Sequence, residues 1–318
     1  MPTNAWVTDE NAALFTDLYQ LTMLQAYVRE GKTDTAVFSL FSRRLPEERN
    51  YLLAAGLDDA VEFLSSVEFS DEALEFVDQR EEFDPDFVDY LADFEFTGDV
   101  YAVPEGTPVF ANEPLIEVEA PLPEAQLMET MLLNQINFQT TIASKASRVV
   151  HAAGSSVVAD FGMRRMHGTD AAMKAARAFH IAGVSATSNV LAGQVYDIPI
   201  TGTMAHSYIE SHETELAAFR AFSDLYPQTV LLVDTYDTLE GVRRVVELAE
   251  ELGEAFEVQA IRLDSGDLAA LAFDSREILD EAGLEDVDIF ASGGLDEYAI
   301  YEFAEGGAPI DGFGVGTK

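Results

Sequence analysis

The chain has 318 residues, no cysteine and a formal net charge of −40, from 18 Lys and Arg residues against 58 Asp and Glu residues. Such acidity argues against duplex nucleic acid as a partner, and the missing cysteines exclude disulfides and thiolate metal sites. The sequence has no run near the roughly 18 apolar residues of a membrane helix, and residues 1–32 lack the layout of a secretion signal. We therefore expect a globular cytoplasmic protein with no membrane partner.

The negative charge is spread along the whole chain instead of being confined to one tail. Like charges at this density repel one another in dilute buffer, whereas molar salt shortens the Debye length to about 3 Å and screens them. This pattern is typical of halophilic proteins. We expect a haloarchaeal-like chain that needs salt to keep its fold.

The first third of the sequence predicts a smaller α+β domain. Apolar positions recur at helical spacing over residues 14–28, and residues 35–41 alternate as a strand does. Two acidic helical segments follow, and then short strands broken by Pro and Gly continue to residue 120. We place this N-terminal domain at residues 1–122.

From Pro123 the pattern changes to alternating helices and strands. A long helix is predicted over residues 125–153, followed by short apolar strands that are separated mostly by helical segments. The strands are expected near residues 157, 184, 200, 231, 260, 289 and 313. This alternation predicts the α/β class, and seven strands favour an irregular seven-stranded α/β (TIM-like) barrel over residues 123–318.

Polar side chains follow most of these predicted strands. Examples are Asp160, His206, Asp234, Asp264 and Ser292, each at or just beyond a strand end. Active sites of α/β barrels lie at the C-terminal ends of their strands. The sequence therefore predicts one active-site rim built from several strand ends.

Three kinds of residue on this rim are candidates for substrate binding or catalysis. Arg164 and Arg165 are adjacent cations in a chain with few of them, which favours carboxylate or phosphate binding over simple ion pairing. The local sequence leaves two roles open for His206. It is either a hydrogen-bonded structural residue or a nucleophile, and the second role is chemically available because neutral imidazole is abundant near pH 7. Asp264 and Asp267 either hold Mg²⁺ or ribose hydroxyls, or form a turn.

Five motifs occur in an order that resembles the nicotinate phosphoribosyltransferase family. They are Thr16-Asp17-Leu18-Tyr19-Gln20-Leu21-Thr22-Met23, Asp160-Phe161-Gly162-Met163-Arg164-Arg165, Gly202-Thr203-Met204-Ala205-His206-Ser207, Ile261-Arg262-Leu263-Asp264-Ser265-Gly266-Asp267 and Gly312-Phe313-Gly314-Val315-Gly316-Thr317. The resemblance covers nearly the whole chain. It implies a type II phosphoribosyltransferase that joins nicotinate to phosphoribosyl pyrophosphate, giving nicotinate mononucleotide and pyrophosphate for NAD salvage, with ATP hydrolysis as a stimulus.

The resemblance implies a nicotinate pocket that two chains share. The matching aromatic residues, Tyr19 and Phe161, stack on opposite faces of the pyridine ring, with Tyr19 supplied by the neighbouring subunit. Arg164 faces an anionic group of the substrates, Arg262 faces the nicotinate, and Thr203 lies beside nicotinate. A homodimer with a shared active site is therefore expected.

The resemblance also implies the catalytic residues and the phosphate site. His206 is phosphorylated by ATP, and Asp264 is the second catalytic residue. The 5′-phosphate lies against late glycine loops whose residues are Ser292, Gly293, Gly294, Gly314, Gly316 and Thr317. Mg²⁺ is the expected metal, with Asp234 and Asp267 as candidate ligands through water. The sequence has no P-loop motif, so ATP is expected to use the phosphoribosyl pyrophosphate pocket or its surroundings.

The choice of base is predicted from Ser188. Relatives that use nicotinamide carry Asp at about this position, and an Asp here would repel the nicotinate carboxylate, whereas Ser tolerates it. Nicotinate is therefore the expected base.

Two alternatives stay open at this point: another pyridine phosphoribosyltransferase of nicotinamide or quinolinate type, and a non-catalytic barrel-like ligand-binding protein. A Schiff-base enzyme is disfavoured because the barrel's lysines, Lys145, Lys174 and Lys318, do not end an internal strand. Family members continue past the position that matches Lys318, so the resemblance also implies a C-terminally truncated chain.

Overall fold

The computed structural model describes residues 6–316. The chain divides into two compact units, residues 1–144 and 145–318. The domain ranges 1–122 and 123–318 stay a prediction, because compactness alone does not show which segments fold independently. No helix among the described residues combines the length and apolar character that crossing a membrane requires.

The first unit combines short helices with antiparallel strands. Its elements are α1 (Leu18–Glu30), β1 (Thr35–Phe41), β2 (Leu52–Leu53), α2 (Leu57–Ser66), α3 (Asp71–Asp78), α4 (Pro85–Ala92), β3 (Asp99–Ala102), β4 (Pro108–Val109), β5 (Pro114–Pro121) and α5 (Leu122–Leu127). The strands pair in the order β1-β5-β3, and β2 pairs with β4. Alternate residues of β1 turn away from solvent, so Phe38 and Leu40 pack on this unit's core while Val37 stays exposed.

Helix α1 shows how local sequence sets an element's bounds. Asp17 precedes its first residue in an extended conformation, and Gly31 ends it with a left-handed φ of 67°. Glycine adopts that conformation at no steric cost, which is why it so often follows a helix. The long helix α6 (Glu129–Ala153) then follows α5, so the single helix predicted over residues 125–153 begins as two helices.

The second unit is a parallel α/β structure. Its further elements are β6 (Val157–Asp160), α7 (Thr169–Ile181), β7 (Ala186–Thr187), α8 (Val190–Tyr196), α9 (His206–Glu210), α10 (Glu215–Leu225), β8 (Val230–Leu232), α11 (Thr238–Leu252), β9 (Ala260–Leu263), α12 (Leu268–Glu281), β10 (Asp288–Ser292), α13 (Glu297–Glu305) and β11 (Gly312–Val315). The sheet order is β7-β6-β11-β10-β9-β8, with parallel pairing throughout. Leu231, Ile261 and Ile289 are fully buried in its core. The α/β class is confirmed.

The seven-stranded barrel needs correction, since the described residues form a sheet of six strands. The strand expected near residue 200 contributes only an isolated bridge between Thr187 and Ile200. Asp197 takes a positive φ of 54° just before this segment, and Pro199 has no N–H to donate. Pairing therefore stops after two hydrogen bonds, from Thr187 N to Pro199 O and from Thr201 N to Thr187 O.

Parallel pairing places all the carboxyl ends of these strands along one edge of the sheet. We call this edge the carboxyl edge and the opposite one the amino edge. The carboxyl edge is where the polar residues noted in the sequence collect.

Candidate active site

A cavity of about 470 Å³ opens at the carboxyl edge of the sheet. Its lining comes from the loops that follow β6, β7, β9, β10 and β11, and from the segment that leads into α9. The lining residues are Phe161, Arg164, Arg165, Ser188, Gly202, Thr203, Met204, Ala205, His206, Arg262, Asp264, Ser292, Gly293, Gly294, Gly314 and Gly316. Of the five rim residues noted in the sequence, His206, Asp264 and Ser292 line this concave site, whereas Asp160 and Asp234 do not.

Phe161 is the aromatic wall of the cavity. Its backbone N–H donates to the Val315 carbonyl at 2.7 Å, and its ring lies 6.0 Å from the Phe290 ring, centroid to centroid. A Cβ at Gly314 would come within 2.6 Å of the Phe161 ring. Gly314 is thus required by ring packing, a reason that the sequence did not supply.

Three arginines bring positive charge to the cavity. Arg164 and Arg165 lie on an exposed 3₁₀ turn after β6, and Arg165 donates to the Phe161 carbonyl at 3.3 Å. Arg262 lies on β9, where burial lowers the pKa of its guanidinium although Asp264 and Asp234 oppose that shift.

The Arg262 side chain is only partly satisfied. Its Nη2 donates to the Met204 carbonyl at 3.2 Å, while its buried Nε has no hydrogen-bond partner among the described residues. A buried N–H without an acceptor is costly, and an anionic ligand in the cavity would supply one.

His206 is the first residue of α9 and faces two side chains. Its Nδ1 lies 3.1 Å from the Thr235 hydroxyl, within hydrogen-bond distance. Its Nε2 lies 3.8 Å from Asp264 Oδ2, which is too long for a hydrogen bond. The His206 side chain is 41% exposed, so the ring is held in place by Thr235 and is open to the cavity.

Asp264 is oriented by neighbours from two other strand ends. Ser292 donates its hydroxyl to Asp264 Oδ1 at 2.5 Å, and the Asp264 backbone N–H donates to Asp234 Oδ2 at 3.0 Å. The Ser265 hydroxyl also donates to that Asp234 oxygen, at 2.6 Å. Ser292 is 2% exposed, so its hydroxyl orients Asp264 in this structure.

The glycine loop after β10 packs closely against the backbone of the loop after β9. Gly293 has a φ of +95°, and a Cβ there would overlap the Asp264 carbonyl oxygen. Gly294 has a φ of +69°, with open space around its Cα. The backbone of this loop can therefore approach a ligand as only glycine allows.

The carboxylates predicted to bind Mg²⁺, Asp234 and Asp267, already accept hydrogen bonds from the protein. Asp267 Oδ1 accepts from Ala270 N at 3.2 Å and caps α12, while Asp234 Oδ2 is engaged by the Asp264 loop. Within residues 6–316, no group of three or more His, Asp or Glu side chains is placed to hold an ion. The described residues by themselves thus offer no closed metal site.

The structure places twelve of the predicted site residues together in the cavity: Phe161, Arg164, Ser188, Thr203, His206, Arg262, Asp264, Ser292, Gly293, Gly294, Gly314 and Gly316. Tyr19 lies in the first unit, 48% exposed, with its hydroxyl 3.2 Å from Glu129 Oε1. Thr317 lies outside the described residues.

Sequence reasoning assigned no role to Thr235 or Asp160. Thr235 orients His206, and Asp160 joins two loops of the cavity, as developed below. Thr235 follows an apolar strand, which is the signal that placed Asp160 on the predicted rim and that could have singled out Thr235 as well.

Two family models match the chain. The nicotinate phosphoribosyltransferase (NAPRTase) N-terminal domain matches residues 14–137, and the nicotinate phosphoribosyltransferase (NAPRTase) family matches residues 157–318. A nicotinate phosphoribosyltransferase of Mycobacterium tuberculosis is 55% identical over 306 residues, covering 96% of this chain and 66% of the relative. One of Bacillus subtilis is 46% identical over 312 residues, covering 98% and 64%. The chain thus spans about two thirds of the length of these relatives.

Solved structures agree with these matches. Human nicotinic acid phosphoribosyltransferase superposes with a TM-score of 0.86 at 31% identity, over 95% of this chain and 72% of the human chain. A nicotinate-nucleotide pyrophosphorylase from Pyrococcus furiosus superposes with a TM-score of 0.81 at 26% identity, over 99% and 74%.

Proposed function

The chain belongs to the nicotinate phosphoribosyltransferase family, and we propose that it transfers the phosphoribosyl group of phosphoribosyl pyrophosphate to nicotinate. The products are nicotinate mononucleotide and pyrophosphate, which places the reaction in NAD salvage. The observation that carries the proposal is the convergence of three arginines on one cavity in a chain of net charge −40. Both substrates are anions, and guanidinium groups bind carboxylate and phosphate well.

Nicotinate is assigned to the part of the cavity between the loops after β6 and β7. Phe161 supplies an apolar face for the pyridine ring, Arg164 supplies positive charge for its carboxylate, and Thr203 lines the same cavity. Ser188 adds a neutral hydroxyl that does not repel this carboxylate. The second face of the ring is assigned to Tyr19 of a second copy of this chain, so the active form is a homodimer.

Phosphoribosyl pyrophosphate is assigned to the carboxyl ends of β9, β10 and β11. The backbone at Gly293 and Gly294 takes the 5′-phosphate, together with Gly316, and Arg262 takes the pyrophosphate. The orphaned Arg262 Nε gains an acceptor in this arrangement. Asp264 lies beside the ribose, where its orientation is fixed by Ser292.

Transfer consists of one bond made and one bond broken at the ribose C1′. The pyridine nitrogen supplies its lone pair to C1′, and the pyrophosphate oxygen leaves with the electrons of the C1′–O bond. Positive charge grows on the ribose and negative charge grows on the leaving group. The Asp264 carboxylate stabilises the first and Arg262 the second, and fixed charges of this kind act most strongly at developing charge.

ATP coupling is assigned to His206. The imidazole attacks the γ-phosphorus of ATP, the new N–P bond replaces the bond to ADP, and ADP leaves with that electron pair. Thr235 holds the ring, and the exposed side of His206 gives ATP access from the cavity. Because the sequence has no P-loop, ATP is assigned to the phosphoribosyl pyrophosphate pocket or its surroundings.

Mg²⁺ is assigned as a companion of the substrate phosphates, because Mg²⁺ is usually held by one or two carboxylates together with phosphates. Asp234 and Asp267 are the candidate carboxylates, acting through water, and the buried Asp234 Oδ1 has no hydrogen-bond partner among the described residues. When bound, the ion neutralises charge on the departing pyrophosphate. Cytoplasmic location and salt adaptation stay predictions from the sequence.

Product analysis tests the proposed function. The protein is mixed with nicotinate, phosphoribosyl pyrophosphate and Mg²⁺ in molar KCl, with and without ATP, and nicotinate mononucleotide and pyrophosphate are measured. We expect both products in equal amounts and a faster reaction with ATP. Faster turnover of nicotinamide or quinolinate would favour the other pyridine transferases. Binding of phosphoribosyl pyrophosphate without pyrophosphate release would favour a non-catalytic protein.

A further inference from the structure

Asp160 is a buried carboxylate at the carboxyl end of β6 that no step above uses. It is 4% exposed, and both of its oxygens are engaged. Oδ2 accepts from the Thr187 hydroxyl at 2.7 Å, and Oδ1 accepts from the Gly162 backbone N–H at 2.7 Å. One side chain therefore contacts two different loops of the cavity.

The contact with Thr187 fixes the loop after β7. The Thr187 hydroxyl donates to Asp160 and at the same time accepts from the Asn189 backbone N–H at 3.1 Å. The Ser188 backbone N–H donates to the Asp160 carbonyl at 2.8 Å. Ser188 is thus held on both sides by hydrogen bonds that lead back to Asp160.

The contact with Gly162 fixes the loop after β6. Gly162 precedes the 3₁₀ turn Met163–Arg165, which carries Arg164. Gly162 itself is closely packed, since a Cβ there would lie 2.9 Å from Met166 Cε and 3.0 Å from Asp160 Oδ1. Asp160 therefore holds the start of the arginine turn in one position.

A carboxylate suits this place better than an amide. Asp accepts both hydrogen bonds, whereas Asn would accept one and turn an N–H group toward the other donor. With Asn, the Thr187 hydroxyl proton would lose its acceptor. Burial raises the pKa of Asp160, and the two hydrogen bonds oppose that shift, so the contacts favour the ionised form.

We propose that Asp160 and Thr187 form a buried clamp that sets the distance between Arg164 and Ser188, and so positions the two sides of the nicotinate carboxylate pocket. Both are positioning residues, because they line no part of the cavity among the described residues. The inference rests on the proposed function, since it assumes that this pocket binds nicotinate.

Thr187→Val and Thr187→Ser form the first test. Valine keeps the shape but removes the hydroxyl, whereas serine keeps the hydroxyl. We expect Thr187→Val to raise the KM for nicotinate about three- to tenfold, the usual effect of one lost buried hydrogen bond, with the KM for phosphoribosyl pyrophosphate unchanged. Thr187→Ser restores the parent KM. A merely structural role would lower both affinities together or change neither.

Asp160→Asn and Asp311→Asn form a matched pair. Asp311 also joins two strands, because its Oδ2 accepts from the Ile289 backbone N–H at 2.9 Å, but it does so at the amino edge. We expect Asp160→Asn to raise the nicotinate KM and to lower the preference for nicotinate over nicotinamide. Asp311→Asn leaves both quantities unchanged. The double variant Asp160→Asn with Thr187→Val should raise the nicotinate KM by less than the product of the two single fold-changes, because the two residues share one contact.

Nicotinate binding by titration calorimetry and near-ultraviolet circular dichroism accompany these assays. A folded Thr187→Val protein that binds nicotinate as the parent does would overturn the clamp. Equal changes in the affinities for both substrates would overturn it as well. If the parent protein neither binds nicotinate nor converts it, the proposed function itself fails. The two failures are therefore distinguishable.

Discussion

Glycines at the two edges of the six-stranded sheet serve different purposes. At the amino edge, Gly283 has a φ of +73° before β10, and a Cβ there would meet open space. At the carboxyl edge, Gly293 has a φ of +95° after β10, and a Cβ there would overlap the Asp264 carbonyl. The first glycine only turns the chain, whereas the second also lets two loops approach.

Charged side chains follow the same division. At the amino edge, Arg276 is fully used for structure, donating to the carbonyls of Val287 and Leu284 at 2.8 Å each and to Asp280 at 2.6 Å. At the carboxyl edge, Arg262 keeps a buried Nε without an acceptor among the described residues. The amino-edge arginine is thus satisfied by its own chain, whereas the carboxyl-edge arginine keeps a donor that an anionic ligand can use.

The largest expected effect is the loss of Asp264 at the carboxyl edge. Asp264→Asn removes the charge that we propose stabilises the ribose, and we expect kcat to fall by about 10²- to 10³-fold, as when one group of a preorganised electrostatic site is removed. Steady-state rates at saturating substrate check this. A variant that keeps the parent kcat would show that the Asp264 carboxylate takes no part in the transfer.

A smaller effect is expected from Gly293→Ala. The new methyl would overlap the Asp264 carbonyl, so the loop has to shift. We expect the KM for phosphoribosyl pyrophosphate to rise by roughly tenfold, since active-site geometry tolerates little displacement. Gly283→Ala is the matched control at the amino edge, where we expect a strained φ to reduce stability but to leave that KM unchanged.

Arg276→Met is expected to separate stability from activity. It removes hydrogen bonds to two backbone carbonyls at the amino edge, and we expect a loss of about 2 kcal/mol in the free energy of unfolding. Chemical denaturation in molar salt measures it. The kcat and both KM values should stay at the parent level, and a changed nicotinate KM would show that the two edges are coupled.

The smallest expected effect concerns Glu215, near the carboxyl edge. Burial, with smaller contributions from Asp234 and Asp237, raises its pKa to about 7, while Arg244 opposes the shift. The folded chain thus binds a proton that the unfolded chain releases near pH 4.5, so this group's contribution to stability falls as pH rises toward 7. Glu215→Gln should flatten that decline between pH 5 and 8 in thermal unfolding curves. An unchanged slope would contradict the pKa shift.

Element types in the second unit were largely predictable. Strand positions near residues 157, 231, 260, 289 and 313 all fall in or at observed strands, because short apolar runs bounded by polar residues are a strong strand signal. The absence of a regular strand near residue 200 was not predictable. The apolar residues there do not reveal that Asp197 takes a positive φ and that a single bridge remains.

The candidate site was predictable as a set of strand ends but not as a set of contacts. Arg164, His206 and Asp264 were each singled out by residue type and position, and they line one cavity. Ser292 was expected at a phosphate, yet its hydroxyl donates to Asp264. A sequence pattern gives the residue type, whereas the partner of a hydroxyl depends on which loop lies next to it.

The acidic composition, the α/β class, the family and the polar residues that follow most strands can all be recognised from the amino-acid sequence. Which of these residues meet depends on the fold. Asp160 reaches Thr187 across 27 residues of chain, and Ser292 reaches Asp264 across 28. Periodicity in the sequence reports how each strand is buried, whereas the strand order β7-β6-β11-β10-β9-β8 sets which strand ends are neighbours.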